Sequence, residues 1–316
     1  MRVIFMGTPA FAVPSLEALV AAGIELPLVV TRPDKPRGRG QRLQPPPVKE
    51  RAEALGLPVF QPPTLKEAEA QARLRAVGAD AIAVVAFGAI LPKAVLEMTP
   101  LGAVNVHASL LPRYRGSSPI NWVIVNGERE TGVTTMFMGE GIDTGDILLQ
   151  ERIPIAPRET AATLHDKLAA LGGPLLVRTL EGLARGEITP IPQDESQALY
   201  IPKLTREDGR LDWSRPAEEL DRRIRGFTPW PGAFTFLRGR RLNVRAAEPR
   251  DRRPQQPPGR VEAVEREAVV VACGEGCLAL TELQPEGKRP MAAAAFLQGH
   301  PLTPGEPLGE APPEAD

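Results

Sequence analysis

The first half of the chain alternates short, continuously apolar runs with longer amphipathic stretches, and this alternation is the strongest constraint on its fold. RVIFMG, ELPLVVTR, ADAIAVVAF and AVNVHAS have the length and apolar content of buried strands. Between them PSLEALVAAG, VKERAEALG and LKEAEAQARLRAVG have helical spacing and end in glycine. Strands alternating with helices require crossover connections, so the expected class is α/β with a mostly parallel sheet. LPVFQP adds a short strand, PINWVIVNG a helix, and TGVTTMFM and DILLQERIPI two further strands. TAATLHDKLAALGGPLLVRTLEGLARG reads as one helix, or as two broken at Gly172-Gly173-Pro174.

Beyond this the character of the chain changes. EITPIPQDESQALYIPKL has three prolines and no period, which predicts a linker over residues 187–205. RLNVRAAEP and GRVEAVEREAVVVACGEGCLALTELQPEG then predict short antiparallel strands, hence a small barrel, followed by a Pro-rich acidic tail. A length of 316 residues suits two domains, and 42% apolar content suffices to give each a core.

Composition excludes several classes of protein. Two cysteines, Cys273 and Cys277, cannot form a disulfide framework, and their spacing makes a poor zinc site. His107, His165 and His300 lack ligand spacing, so no metal is expected. MRVIFMGTPAF reads as a strand and turn, and no apolar run has the length of a membrane span; a soluble cytoplasmic protein with no membrane partner is expected. The net charge of −1 hides local patches. Residues 32–51 hold seven Lys or Arg against two acids, and thirteen Arg face eight acids from Arg206 to Arg253, an excess that favours an anionic partner. The basic loop RPDKPRGRGQRLQPPP is nearly free of apolar residues, which predicts an extended, mobile loop.

The chemistry concentrates in NVHASLLPRYRG. Residues two apart in a strand share a face, so Asn105 and His107 project together while Val104 and Val106 point the other way. The turn that follows puts this pair beyond the carboxyl end of a strand, where open parallel sheets bind ligands. Downstream, GEGIDTGDIL surrounds Asp143 with three glycines, a tight loop that delivers one carboxylate. It lacks the phosphate-binding lysine pattern and the dinucleotide fingerprint. An amide N–H can polarise a carbonyl, an imidazole can stabilise a developing oxyanion or move a proton, and a carboxylate can accept the proton of an attacking amine. Such a set suits direct acyl transfer to an amine, with no nucleophilic Ser or Cys required.

Asn-x-His followed by Ser-Leu-Leu-Pro and a later Asp resembles the folate-dependent formyltransferases. TPAFAVPSLEAL, RPDKPRGRGQRL, AFGAILPKAVL, KLTREDGRLDW and FTPWPGAF are similar to the branch that formylates a charged initiator tRNA. The resemblance implies a Rossmann-like catalytic domain over residues 1–186 and an OB-like, tRNA-binding barrel over 206–316. It implies catalytic roles for Asn105, His107 and Asp143. Ser109, Leu110, Leu111 and Pro112 would form the folate turn, and Phe87, Gly88, Ile90 and Leu91 would line the pterin pocket. Lys35, Arg37, Arg39, Arg42 and Lys203 would meet tRNA. The implied co-substrate is 10-formyltetrahydrofolate, the partner is methionyl-initiator tRNA, the process is translation initiation, and a monomer is expected. The alternatives are a formyltransferase acting on an amino-sugar nucleotide and a non-catalytic RNA-binding protein on the same scaffold. A chain ending near residue 205 is expected to fold, keep the folate site and bind tRNA poorly.

Overall fold

The computed structural model describes residues 1–37 and 42–309, and these cluster into two compact units. The first comprises Met1–Pro119, Glu130–Pro154 and His165–Ile201. The second comprises Ile120–Arg129, Ile155–Leu164 and the chain from Pro202 on.

The first unit is built on a seven-stranded sheet: β1 (Arg2–Gly7), β2 (Glu25–Val30), β3 (Val59–Phe60), β4 (Ala81–Val85), β5 (Ala103–His107), β6 (Glu130–Phe137) and β7 (Ile147–Pro154). Their order is β7-β6-β5-β4-β1-β2-β3. The pairings among β1 to β5 are parallel, while β6 pairs antiparallel with both β5 and β7. Val3 to Met6 on β1 and Ala81 to Ala83 on β4 are fully buried, which is why these strands read as unbroken apolar runs. Ala70 and Leu74 of the helix Ala68–Ala76 pack on the face that carries Ile4, Met6, Ile82 and Val84. On the other face, Ala161–Ala184 is a single helix running through Pro174. The two glycines before that proline permit it: a Cβ on Gly172 would lie 3.0 Å from Val106 of β5, and one on Gly173 would lie 2.8 Å from the Ala18 Cβ. Close packing therefore holds together a helix that its sequence weakens.

Two expectations are corrected in this unit. Residues 187–201, read as linker, belong to it: Ile191 bridges to Ile147, and Tyr200–Ile201 pairs in parallel with Arg115–Gly116. The basic loop is a hairpin in which Lys35–Arg37 pairs antiparallel with Arg42–Gln44, Pro36 lying opposite Leu43. Backbone pairing needs little apolar side chain, so hydrophobic pattern gave no sign of it.

The second unit carries an antiparallel sheet of β8 (Ala233–Leu237), β9 (Arg240–Arg250), β10 (Val261–Val264), β11 (Val269–Ala272) and β12 (Cys277–Pro285), ordered β8-β9-β12-β11-β10. Residues 305–309 join its two edges. Gly309 N donates to Phe236 O (2.8 Å), beside β8, while Gly305 N donates to Val261 O (2.7 Å) of β10. The Pro-rich tail thus begins as the segment that closes the barrel. The helix Ala217–Gly226 buries Ala217, Leu220, Asp221 and Ile224, the i, i+3, i+4, i+7 stripe of an amphipathic helix.

The two segments from the middle of the chain are tied into this unit. Val125 and Trp122 cluster with Leu204 and Phe227, and Asn121 donates to Gly226 O at 2.7 Å. Arg158 pairs with buried Asp221 at 3.1 Å, and Arg225 donates to Glu159 O at 2.9 Å. The arginines of this region are accordingly more engaged than their number suggests. Arg225 also pairs with Asp221, Arg222 donates to Val125 O, Arg223 stacks on Phe227, and Arg241 lies 3.6 Å over Phe234.

Candidate active site

The site forms at the carboxyl ends of β1, β4 and β5, at and beside the point where strand order reverses. Register places Asn105 level with Val84 of β4 and Met136 of β6, and Ala103 of the same face joins the core there. Val106 points at the helix Ala161–Ala184 instead. The two-residue spacing therefore does place Asn105 and His107 on one face. Asn105 is half-buried, and among the described residues its carboxamide has no hydrogen-bond partner, so it is free to bind a ligand.

His107 is 6% exposed. Its Nε2 lies 2.9 Å from the carbonyl of Tyr114. A carbonyl cannot donate, so Nε2 carries the hydrogen, and Nδ1 is the nitrogen left for chemistry. Nδ1 faces Asp143 Oδ2 at 3.6 Å, close enough to act on the same reacting group and too far for a hydrogen bond. Tyr114 holds a left-handed backbone (φ +63°), which aims its carbonyl at the imidazole.

Asp143 is also left-handed (φ +53°), a conformation Asp tolerates better than most residues. Its Oδ2 accepts from Gly116 N at 2.9 Å. A Cβ on Gly145 would collide with the Phe137 carbonyl of β6. Gly145→Ala must therefore displace this loop, and turnover is expected to fall at least roughly tenfold, with an overpacking cost of about 1–3 kcal/mol. Steady-state turnover measured beside circular dichroism checks this; wild-type turnover would show that the loop adapts.

The SLLP turn is held by side chains on the neighbouring strands. Leu111 N donates to Thr134 Oγ1 (3.1 Å), Thr134 donates to Ser109 O (2.6 Å), and Gln150 donates to Leu111 O (2.9 Å). Ser109 is fully buried and its hydroxyl donates to Arg113 O at 2.8 Å; Leu111 is buried, while Leu110 and Pro112 are half-buried. In the other segment expected to meet folate, Phe87 and Leu91 turn into the core, whereas Gly88 and Ile90 are exposed, Ile90 by 84%. Phe87 and Leu91 therefore shape this surface from behind, leaving backbone and Ile90 for contact. Thr8 Oγ1 donates to Phe87 O at 2.8 Å, tying the loop after β1 to the loop after β4.

A cavity of about 270 Å³ opens at the ends of β1, β2 and β4, lined by Thr8, Arg32, Lys35, Ala86, Phe87 and Gly88. It brings Lys35, expected to meet tRNA, together with two residues expected to meet folate. Lys203 is exposed in the second unit. Backbone pairing places Arg37 and Arg42 opposite each other in the hairpin, and Arg39 lies outside the described residues.

Sequence reading missed four residues that organise the site. Arg115, fully buried, donates to Gln193, Glu195 and Tyr200, and Gln193 in turn donates to the loop of Asp143. The Arg115 guanidinium holds the Glu195 carboxyl below the usual carboxylate range, and that bond raises the guanidinium's own pKa. A charged residue with no exposed surface was the available signal; it is invisible before burial is known.

A free amide, an imidazole with one nitrogen committed and a carboxylate beside the other define a site for acyl transfer without a covalent enzyme intermediate. The chain belongs to the formyl transferase family. The pattern described as formyl transferase matches residues 1–180, and that of the formyl transferase C-terminal domain matches 203–301. A methionyl-tRNA formyltransferase of Moorella thermoacetica is 52% identical over 98% of this chain and 99% of its own, and one of Pelotomaculum thermopropionicum is 50% identical over 98% and 99%. Among solved structures, the fold is shared with WlaRD, a sugar 3N-formyl transferase (TM-score 0.66, 17% identity, 92% of this chain and 99% of that one). It is shared also with HypX of Aquifex aeolicus in complex with tetrahydrofolic acid (TM-score 0.63, 20% identity, 94% of this chain and 47% of that one). No helix among the described residues is long and apolar enough to cross a membrane.

Proposed function

We propose that the chain transfers the formyl group of 10-formyltetrahydrofolate to the amine of methionyl-initiator tRNA, acting as a cytoplasmic monomer. The observation that carries this reading is likeness of about 50% to methionyl-tRNA formyltransferases along both units. The sugar N-formyltransferases share the fold at 17–18% identity, so the amino-sugar substrate is the weaker reading, and the free Asn105 and the His107–Asp143 pair argue against an idle scaffold. Purified chain assayed with formyl-folate on charged initiator tRNA and on a dTDP-amino sugar tests it; formylation of the sugar alone would overturn it.

The folate supplies a formyl carbonyl whose oxygen gains negative charge as the amine attacks. Asn105 donates to that oxygen. The α-amine titrates near 8 in reference peptides and must be deprotonated to attack, and Asp143 accepts the proton it sheds. Passed to Nδ1 of His107, the same proton makes the ring cationic, which stabilises the oxygen and supplies the hydrogen that the departing nitrogen needs. A second proton leaves the attacking nitrogen as the amide forms and passes to solvent, so each turnover that starts from the ammonium releases one proton overall. Tyr114 keeps Nε2 out of this path.

The recess lined by Arg32 and Lys35 suits an anionic group of the acceptor end. If Lys35 meets a phosphate of the single-stranded terminus, Lys35→Ala should reduce the slope of log affinity against log salt by about 0.7. Arg39, between two glycines in the sequence, is the candidate for reading the unpaired end, and Arg39→Ala should narrow the preference for initiator over elongator tRNA. Binding measured on both tRNAs across a salt series decides; unchanged slope and preference would assign the hairpin no part in recognition.

A further inference from the structure

The role given to Asp143 depends on where its carboxylate is held, and the Asp143 loop has little apolar anchorage of its own: Ile142, beside Asp143, is 67% exposed. The loop is fixed from outside. Gln193 Nε2 donates to the carbonyls of Asp143 (2.8 Å) and Gly145 (2.7 Å). Its Oε1 accepts from Arg115 Nε (3.0 Å) and Nη2 (2.9 Å). The orientation of this amide is unambiguous, since carbonyls only accept and a guanidinium only donates. Arg115 spends its remaining donors on both Glu195 oxygens (2.9 and 2.7 Å) and on Tyr200 Oη (2.7 Å), so all five of its N–H groups are used. Its backbone neighbour Gly116 donates to the Asp143 carboxylate itself. One short strand thus holds the carboxylate directly through Gly116 and the loop backbone through Arg115 and Gln193.

We propose that Gln193, itself held by Arg115, is a positioning residue for Asp143, which makes segment 187–201 part of the catalytic apparatus. The inference rests on Asp143 being the proton acceptor. A purely structural account would have Gln193 do no more than anchor its own segment to Arg115.

Gln193→Glu separates the two. A glutamate keeps the side-chain length and pairs with Arg115, so the segment stays anchored. It sets a carboxylate oxygen against two carbonyl oxygens, so the Asp143 loop must move. The expected result is a fall in kcat of roughly 10- to 100-fold, with KM for the folate within about threefold of wild type. The melting temperature should stay within a few degrees. In the Asp143→Asn background the same change should cost less than about twofold, because the carboxylate it mispositions is already gone. An equal loss in both backgrounds would mean that Gln193 supports the fold and not Asp143, and wild-type kcat for Gln193→Glu would likewise overturn the proposal. Wild-type kcat for Asp143→Asn would instead sink the assignment of Asp143. Should Gln193→Glu prove unfolded by circular dichroism, Gln193→Met, of similar size and uncharged, takes its place in the cycle.

Discussion

Asp143→Asn is expected to lower kcat by roughly two orders of magnitude or more, the scale of a proton-transfer or oxyanion group, with little change in tRNA affinity. The amide is nearly isosteric, and its oxygen can still accept from Gly116 N, so the loop should keep its place. What it cannot do is take the amine's proton. His107→Ala and Asn105→Ala should fall on the same scale, for different reasons. The first removes Nδ1 together with the buried Nε2 bond to the Tyr114 carbonyl, so its thermal unfolding must be measured beside its rate. The second removes a carboxamide that bonds to nothing in the described protein, so its stability should be nearly unchanged, which makes it the cleanest test of the three. Single-turnover formyl transfer separates chemistry from product release. A rate within a few-fold of wild type for any one variant would remove that residue from the mechanism.

The parts of this site that are readable in the sequence are those fixed by local geometry. Asn105 and His107 share a face because β-strands have a period of two, and Asp143 sits in a tight loop because glycines flank it. The strands of the first unit are legible because their apolar runs are continuous. What sequence does not show is held by single long-range bonds between polar side chains. Arg115 reaches Gln193, Glu195 and Tyr200, which are 78, 80 and 85 positions away. Such contacts leave no periodic trace, and three prolines make the segment that supplies them look like a spacer. The choice of Nδ1 over Nε2 on His107 is hidden for the same reason, since it follows from a carbonyl seven residues on in a left-handed turn. Barrel closure by residues 305–309 escapes notice because that strip joins the two edges largely through backbone bonds, in a composition typical of tails.

The same long-range ties change the expectation for a truncated chain. Read as two consecutive domains, a chain ending at Thr205 should fold and keep its folate site. The structure argues otherwise, because Ile120–Arg129 and Ile155–Leu164 cluster with the chain beyond residue 202. Truncation would strip Val125 and Trp122 of Phe227, deprive Asn121 of the Gly226 carbonyl, and free Arg158 from Asp221. Gly226 shows how close that packing is, since a Cβ there would lie 2.7 Å from the Val125 side chain. Burial of a valine-sized side chain is worth about 1.5–3 kcal/mol, and each orphaned polar group costs about 1–3 kcal/mol. A few such losses consume much of a typical margin of about 5–15 kcal/mol. The truncated chain is therefore expected to aggregate, or to melt at least about 10 °C below the full chain, at roughly 2–4 °C per kcal/mol for a domain of this size. Differential scanning calorimetry and gel filtration of residues 1–205 decide it. A soluble monomer that melts within a few degrees of the full chain would show that the two inserted segments are held well enough without the barrel.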